Sequence, residues 1–394
     1  MAVLLMGYIA LPRLQADVWA LAWGPQGRDA VDLKYRYLEV QRWFEGLSVY
    51  SELRHAVYPP ATYVILWPLV GWLPLPAVRL VWALLSVAAL GWLCVTLARA
   101  IGVASWQERV FTASLPIAMA ATSYALHQGQ FVVLLLPVMV VAVLTFWTGW
   151  NARALVLLSP GLLLVTLIKP SLSVPFFWLA LLAPVRWRRT VPLLILVALA
   201  YAALTLLATS FQEKSPQALL GDLLRNAEKL SEHQGRNNLH TWLTAWRFSD
   251  DWYLPASLAT LLVHGAWVWF HRRTDFWIVA GVTAIVARIW TYHYSYDDLL
   301  IVLPMVALLR IARDTREDSP VRWGAGLLLG ILTTVMVVSA PPGVPAIYNR
   351  VGVPLLWGIV LLFLLACARR PRTCSSGTQS QEEWSPYSSH SSRI

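Results

Sequence analysis

The stretch LPAVRLVWALLSVAALGWLCVTLA, residues 75–98, carries a single charged side chain, Arg79, in 24 residues. An α-helix of this length extends about 36 Å, which is enough to cross the hydrocarbon layer of a bilayer. In lipid a helix satisfies its own backbone hydrogen bonds, whereas a loop or an open strand does not. The stretch is therefore predicted to be a membrane-spanning helix.

Similar apolar stretches recur along the chain and are separated by short polar turns. We predict spans at 75–98, 110–126, 130–148, 154–168, 172–184, 191–210, 254–270, 275–290, 299–312, 322–341 and 350–368. A weaker first span is predicted at 2–24, which contains Pro12, Arg13 and Asp17. A signal peptide is less favoured there, because no basic segment precedes the apolar run. The predicted fold is all-α, a polytopic transmembrane helical bundle with about 11–12 membrane spans.

The composition supports the membrane class. Hydrophobic residues make up 58% of the chain, charged residues make up 13%, and the mean hydropathy is +0.57. A soluble domain of this length has more charged residues. The 22 Trp and 14 Tyr suit the aromatic belts at the two membrane interfaces. Cys94, Cys367 and Cys374 lack metal-type spacing, so neither a zinc site nor a disulfide framework is predicted.

Arginines predict the orientation, because they cluster in alternate short loops. These loops are cytoplasmic by the positive-inside rule, and their arginines are Arg99, Arg109, Arg153, Arg186, Arg188, Arg189, Arg272, Arg273, Arg310, Arg313, Arg316, Arg322, Arg369, Arg370 and Arg372. The segments 29–58, 127–130, 211–252, 288–298 and 341–350, together with Lys169, then face outwards. The net charge of +10 fits this topology and attraction to anionic lipid, rather than nucleic-acid binding. Residues 1–371 are predicted to form one domain, and the Ser-rich segment 372–394 a disordered cytoplasmic tail.

The first outer segment contains two carboxylates three residues apart, Asp29 and Asp32. If this segment begins as a helix, they share a face with Tyr35 and Arg36. One carboxylate is then placed to accept a proton from an attacking hydroxyl, and the other to orient a cation or a sugar hydroxyl. The alternatives are solvated loop charges or a metal site, although no third metal ligand is apparent.

A second polar constellation is RIWTYHYSYDD, residues 288–298. His293 and Asp297 are four residues apart, so they lie on one face if the segment is helical. Ionisable groups at the edge of a membrane bundle favour a functional cavity, and Arg288 suits a phosphate. The alternative is an interfacial tyrosine belt with a structural His–Asp hydrogen bond.

Short polar interruptions elsewhere supply further candidates, namely His127, Gln130, Lys169, Asn237, Asn238 and His240. Amides and imidazoles at the mouth of a bundle suit hydroxyl-rich ligands, and the ammonium of Lys169 suits an anion. The alternatives are simple turns between helices and, for Lys169, a side chain that snorkels to the interface.

The order of these residues resembles glycosyltransferase family 87 over about residues 29–310. The resemblance rests on Asp32, a Tyr-rich helix, Gly46, Val49-Tyr50, Tyr58-Pro59-Pro60, Pro68, Gly129-Gln130, Lys169-Pro170, Asn237-Asn238, Trp290 and His293. One departure is that a late Ser-Trp-x-His-type stretch of the family is Trp290-Thr291-Tyr292-His293 here.

The resemblance implies a GT-C-fold, inverting transferase in the cell membrane. It would move a hexose, mannose in the family, from a polyprenyl-phosphate donor to a lipid or glycan acceptor on the outer face. Asp32 would deprotonate the acceptor hydroxyl, a choice over Asp29 that rests on the resemblance, and Lys169, Arg288 or His293 would stabilise the departing phosphate. The implied substrate contacts are Asp29, Tyr35, Tyr58, His127, Gln130, Asn237, Asn238, His240 and Asp297. No cofactor or metal is expected, and no nucleotide-binding motif is present.

Two other function classes stay open. A transporter or flippase of lipid-linked sugars also combines polytopic helices with His, Asp and Arg. Against it, the polar residues gather at one predicted membrane face and no internal repeat is evident. A non-catalytic assembly subunit is the third possibility.

Overall fold

We analysed a computed structural model of the chain, which describes residues 2–25, 29–53, 55–102, 105–148, 153–184, 187–234, 238–315, 317–338 and 351–369. All regular secondary structure in these residues is helical. The prediction of an all-α polytopic bundle is confirmed. The predicted tail, 372–394, lies outside the described residues.

The helices follow one another in chain order. They are α1 (Ala2–Trp23), α2 (Val31–Phe44), α3 (Val49–Glu52), α4 (Pro60–Val70), α5 (Leu75–Ala100), α6 (Trp106–Ala118), α7 (Ala120–Gln128), α8 (Val132–Thr148), α9 (Arg153–Thr166), α10 (Pro170–Leu181), α11 (Trp187–Thr209), α12 (Pro216–Gln234), α13 (Leu239–Ala245), α14 (Tyr253–His271), α15 (Phe276–Ile289), α16 (Val302–Asp314), α17 (Pro320–Val337) and α18 (Val353–Ala368). Two 3₁₀ segments, Asp250–Trp252 and Ser295–Ile301, precede α14 and α16.

Four described segments are long and apolar enough to cross a membrane, namely Leu75–Ala100, Thr190–Thr209, Asp250–His271 and Pro320–Val337. Helices α7 and α8 together would make a fifth, although they are bent by 116° relative to each other. Shorter apolar helices, α4, α10, α15 and α18, complete the bundle. The count of 11–12 spans stays a prediction.

Burial differs sharply between helices. Nearly every side chain of α8 and α15 is buried. By contrast, Leu84 of α5, Leu199 of α11 and Leu262 of α14 are each at least 63% exposed. Large contiguous apolar surfaces are unfavourable in water, but they are the expected surface of a helix in contact with lipid. Helices α5, α11 and α14 therefore form the lipid-facing exterior.

The two ends of α5 define the two ends of the bundle. With 26 residues, this helix extends about 39 Å. Near its start, Arg79 is buried and donates to the carbonyls of Leu21 and Gly24 at 2.7 and 2.8 Å, which caps the end of α1. At its other end, Arg310 donates to the carbonyl of Ala100 and pairs with Asp275 at 2.8 Å. Several of the arginine-rich loops predicted to be cytoplasmic thus lie together.

The predicted span 110–126 is interrupted, which corrects that assignment. Helix α6 ends at Ala118, Met119 is extended, and α7 begins at Ala120. The hydroxyl of Thr122 donates to the carbonyl of Pro116, which in a continuous helix would accept from the backbone N–H of Ala120. The outer segments 29–58 and 211–252, predicted as loops, also contain helices α2, α3, α12 and α13.

Gly129 makes the sharp bend between α7 and α8 possible. Its φ of 71° lies in the left-handed region, which a residue with a Cβ rarely adopts. A Cβ there would also lie 2.6 Å from the Cβ of Leu33 on α2. The glycine therefore serves both the turn and the close approach of α2.

We predict that Gly129→Ala destabilises the protein more than Gly102→Ala. Both glycines have positive φ, so each variant should lose about 1–2 kcal/mol from backbone strain. Gly102 has nothing within 4 Å of an added Cβ, whereas Gly129→Ala should lose a further ~1–3 kcal/mol through the clash with Leu33. Thermal unfolding in detergent measures both, and equal losses would contradict the packing argument.

Candidate active site

The first outer segment turns sharply before α2 begins. Ala30 has a left-handed backbone, with φ of 54°, and its N–H donates to the carbonyl of His127 at 2.8 Å. Asp29 Oδ1 lies 2.9 Å from His127 Nε2. Because α2 starts at Val31, Asp29 precedes the helix and does not share its face with Asp32. The expectation that both carboxylates lie on one helical face is wrong.

Asp32 lies in the first turn of α2 and is half-buried. Its Oδ2 accepts a hydrogen bond from Nε2 of Gln130, a residue that is 4% exposed. The amide oxygen of Gln130 is buried and has no hydrogen-bond partner among the described residues. Two candidate residues that are 98 positions apart in the sequence are thus in direct contact.

A buried ionic cluster lies on the other side of the site. Lys169 Nζ is 2.6 Å from Asp297 Oδ1, and His293 Nδ1 is 2.9 Å from Asp297 Oδ2. Lys169 is placed where the helices break, because it immediately precedes Pro170, the first residue of α10. His293 precedes the 3₁₀ segment Ser295–Ile301, so the predicted contact forms without the predicted helical face.

The protonation states of this cluster follow from its burial and contacts. Burial disfavours ionisation of Asp297, yet Lys169 and the hydrogen bond from His293 hold its pKa below the usual range. Burial lowers the pKa of His293 although Asp297 opposes the shift. A neutral His293 then donates from Nδ1 to Asp297. Its Nε2 is buried and has no hydrogen-bond partner among the described residues, so it is left for a ligand.

Tyr58 lies between the two groups of charges. The Arg36 guanidinium stacks over its ring at 4.4 Å, and the Tyr50 hydroxyl donates to its carbonyl at 2.5 Å. Burial raises the pKa of Tyr58, Arg36 opposes this shift, and the carboxylates of Asp32 and Asp297 add to it. Both carboxylates therefore act on the same phenol. Residues of the segments 29–58 and 288–298 therefore lie near the same side chain.

The long outer segment 211–252 reaches the same region through α13. Asn238 is fully buried and caps α13, with its Oδ1 accepting from the N–H of Thr241 at 3.0 Å, while its Nδ2 has no partner among the described residues. His240 Nε2 lies 2.8 Å from Ser257 Oγ, which donates to the carbonyl of Trp290 at 2.8 Å. Burial lowers the pKa of His240 to about 4. Helix α13 is thereby tied to the segment that carries His293.

Other predicted residues are placed differently. Arg288 is buried, pairs with Asp298 at 2.5 Å and stacks on Trp357 at 5.0 Å, so its charge is already compensated. The ring of Tyr35 packs against His55 at 5.6 Å. Asn237 lies outside the described residues. Among the described residues, no group of three or more His, Cys, Asp or Glu is arranged to hold a metal ion.

The sequence reasoning missed one pair. Arg36 Nη2 and Glu39 Oε1 lie 2.7 Å apart, and both side chains are at least nine-tenths buried. Burial raises the pKa of Glu39 to about 7, although Arg36 opposes the shift. The spacing of Asp32, Arg36 and Glu39 on one helical stripe was the available signal.

A comparison with protein families gives one match. The sequence model of glycosyltransferase family 87 matches residues 56–293, more than half of the chain. The matched range includes Tyr58, Gln130, Lys169 and His293, whereas Asp32 lies before it. No curated protein and no solved structure matches the chain.

We predict that Asp297→Asn strongly destabilises the protein, because it leaves Lys169 buried without its anion. Removing one partner of a buried ion pair costs about 3–5 kcal/mol. The matched control is Asp275→Asn, whose partly exposed pair with Arg310 should contribute about 1 kcal/mol or less. The asparagine at 275 retains the helix cap to Trp277. Unfolding in detergent measures the loss of unfolding free energy in each variant. An equally small loss in both would show that the buried cluster is not structurally important.

Proposed function

We propose that the chain transfers a hexose from a polyprenyl-phosphate donor to a lipid or glycan acceptor. The chain belongs to glycosyltransferase family 87, and it is therefore a membrane glycosyltransferase. The proposed reaction inverts the anomeric carbon and uses Asp32 as general base. Mannose is the proposed sugar, and the GT-C type is the proposed fold. The proposed location is the cell membrane, with the site on its outer side.

One observation carries the choice of Asp32 as base. Four other candidate carboxylates, Asp29, Glu39, Asp297 and Asp298, each have a described cation or imidazole within ion-pair distance. Asp32 has no such partner among the described residues. A general base needs an ionised carboxylate with a lone pair free for the substrate proton. This distribution of partners favours Asp32 over Asp29.

The proposed step is a direct displacement. The acceptor oxygen attacks the anomeric carbon from the face opposite the lipid phosphate and gives its proton to Asp32. The bond between the anomeric carbon and the phosphate oxygen breaks, and the electron pair leaves with the phosphate. Gln130 holds the Asp32 carboxylate in place. Lys169 supplies positive charge toward the leaving group, and the unprotonated Nε2 of His293 can accept a hydrogen bond from a substrate hydroxyl, so the proposed step needs no metal or other cofactor.

The surroundings suit a donor with a lipid tail. Such a molecule places its tail in the bilayer and its phosphate at the interface. Helix α4 begins two residues after Tyr58 and exposes Trp67 and Leu69, and Trp72 follows it at 70% exposure. A tail that lies along α4 would bring its phosphate to the polar cluster.

We predict that Asp32→Asn lowers sugar transfer by about 10²–10⁴-fold, because the general base is lost. Asp29→Asn, the matched control, breaks only the contact with His127 and should retain most of the activity. The measurement is transfer of radiolabelled sugar from a panel of polyprenyl-phosphate sugars into membrane lipids and glycans, at matched protein abundance. Activity lost with Asp29→Asn and kept with Asp32→Asn would reverse the assignment. No transfer from any donor would favour a carrier or an assembly subunit.

We predict that the site faces outwards. In a variant with Cys94, Cys367 and Cys374 replaced, Glu213→Cys should react with an impermeant maleimide in intact cells or spheroplasts. Glu317→Cys, in a predicted cytoplasmic loop, should react only after permeabilisation. Both glutamates are exposed, so access to the reagent is not limited by the fold. The opposite pattern would place the site on the cytoplasmic side.

A further inference from the structure

The buried pair of Arg36 and Glu39 has hydrogen-bonding capacity that the protein does not use. Arg36 is 6% exposed, and its Nη2 contacts Glu39 at 2.7 Å and the carbonyl of His55 at 3.4 Å. Its Nε and Nη1 are buried and have no hydrogen-bond partner among the described residues. Buried donors of a charged group are costly to leave unpaired, so these atoms indicate a place for an acceptor from a ligand.

The position of the guanidinium relates it to the proposed chemistry. Arg36 follows Asp32 by one turn of α2, so the two side chains are neighbours on one helical face. Its guanidinium lies over Tyr58, at the point where the chain enters α4. An anion bound to Arg36 would therefore lie beside the proposed base and at the start of the apolar surface of α4.

The counter-ion of Arg36 differs from that of Lys169. Asp297 is ionised at any physiological pH, because the contacts with Lys169 and His293 hold its pKa low despite burial. Burial raises the pKa of Glu39 to about 7, with Arg36 opposing the shift and Asp32 adding to it. Near neutral pH, Glu39 can therefore become uncharged, and another anion can then pair with Arg36.

We propose that Arg36 binds the phosphate of the lipid-linked donor through its unpaired N–H groups, with Glu39 as the counter-ion that becomes neutral when the phosphate arrives. This assignment rests on the proposed function and deepens it. The phosphate is a diester with one negative charge, and binding takes up one proton on Glu39. Among the described residues, the groups that face Glu39 are Arg36 and Asp32 of α2, Tyr50 of α3, Tyr63 of α4, and Tyr58, which precedes α4.

The experiment measures binding rather than sugar transfer. The probe is radiolabelled polyprenyl methyl phosphate, a diester whose charge is constant between pH 5 and 9, bound to the purified full chain in zwitterionic nanodiscs. Competition with polyprenol tests the lipid tail alone, and competition with dimethyl phosphate tests the head group alone. The expected order of affinity places polyprenyl methyl phosphate well above both competitors.

The key variant is Arg36→Gln combined with Glu39→Gln, which removes both charges and keeps two hydrogen-bonding side chains. It should weaken probe binding about 10- to 100-fold and leave polyprenol binding unchanged. The matched control is Arg42→Gln combined with Glu52→Gln, an exposed pair at 2.8 Å that also involves α2. The control should bind the probe as the wild type does. Thermal unfolding checks that both double variants are folded.

The pH dependence tests the role of Glu39. As pH rises above 7, Glu39 becomes ionised and competes with the phosphate for Arg36. Wild-type affinity should therefore fall by up to about tenfold per pH unit, and Glu39→Gln should remove this dependence. A wild-type affinity that does not change between pH 6 and 8 would overturn the role of Glu39.

Two further outcomes separate this assignment from the proposed function. If the wild type prefers the phosphate lipid to polyprenol and the Arg36/Glu39 double variant keeps that preference, Arg36 is not the phosphate ligand and the donor class stands. If the wild type binds polyprenol as tightly as the phosphate lipid, both the donor class and the assignment of Arg36 fail. If dimethyl phosphate binds as tightly as the phosphate lipid, the ligand of the site is a soluble phosphodiester and not a lipid donor.

Discussion

The ion pair between Lys169 and Asp297 is the contact on which the arrangement of the site depends. It joins the break between α9 and α10 to the 3₁₀ segment between α15 and α16. Charges at this depth of a helical bundle are unfavourable unless they are paired and hydrogen-bonded, and Asp297 satisfies both Lys169 and His293. The orientation of the His293 ring, and hence the direction of its Nε2, follows from this pair.

Irregular backbone is concentrated at the same end of the bundle. Gly129 allows the turn between α7 and α8, Pro170 starts α10 after the non-helical residue Lys169, and the 3₁₀ segment Ser295–Ile301 leads into α16. Non-helical backbone within a membrane protein is tolerated where it is buried by protein or lines a polar cavity. These breaks bring side chains from three separate helical connections to the same end of the bundle, which continuous helices would not do.

The sequence predicted the helices well where apolar length alone determines them. Helix α5, Leu75–Ala100, begins where the predicted span 75–98 begins. The interruption at Met119 was not predictable, because it depends on one hydrogen bond from Thr122 to Pro116. The site shows the same limit. The residue types of the site were visible in the sequence, and the spacing of His293 and Asp297 indicated their contact, but the pairs between distant segments required the fold.

Asp29 illustrates this point, since its partner His127 is nearly a hundred residues away in sequence. Arg288 illustrates the converse, because a cation that suited a phosphate in the sequence is neutralised by Asp298 in the fold. Arg36 and Glu39 are three residues apart, so their spacing also places them on one face of α2. Their burial depends on packing against Tyr58 and α4, which spacing does not reveal.

The balance of charge gives a physical reason for the unusual environment of Glu39. With all groups ionised, the centre of the site holds two cations, Arg36 and Lys169, and three carboxylates, Asp32, Glu39 and Asp297. This excess of negative charge would repel a phosphodiester at close range. The proposed role of Asp32 as a base requires its carboxylate form, and Asp297 is held ionised by Lys169 and His293. Glu39 is the remaining carboxylate, and burial raises its pKa to about 7. Its protonation would remove the excess charge without disturbing the other two carboxylates, so the proposed anionic donor and the proposed base could occupy one site.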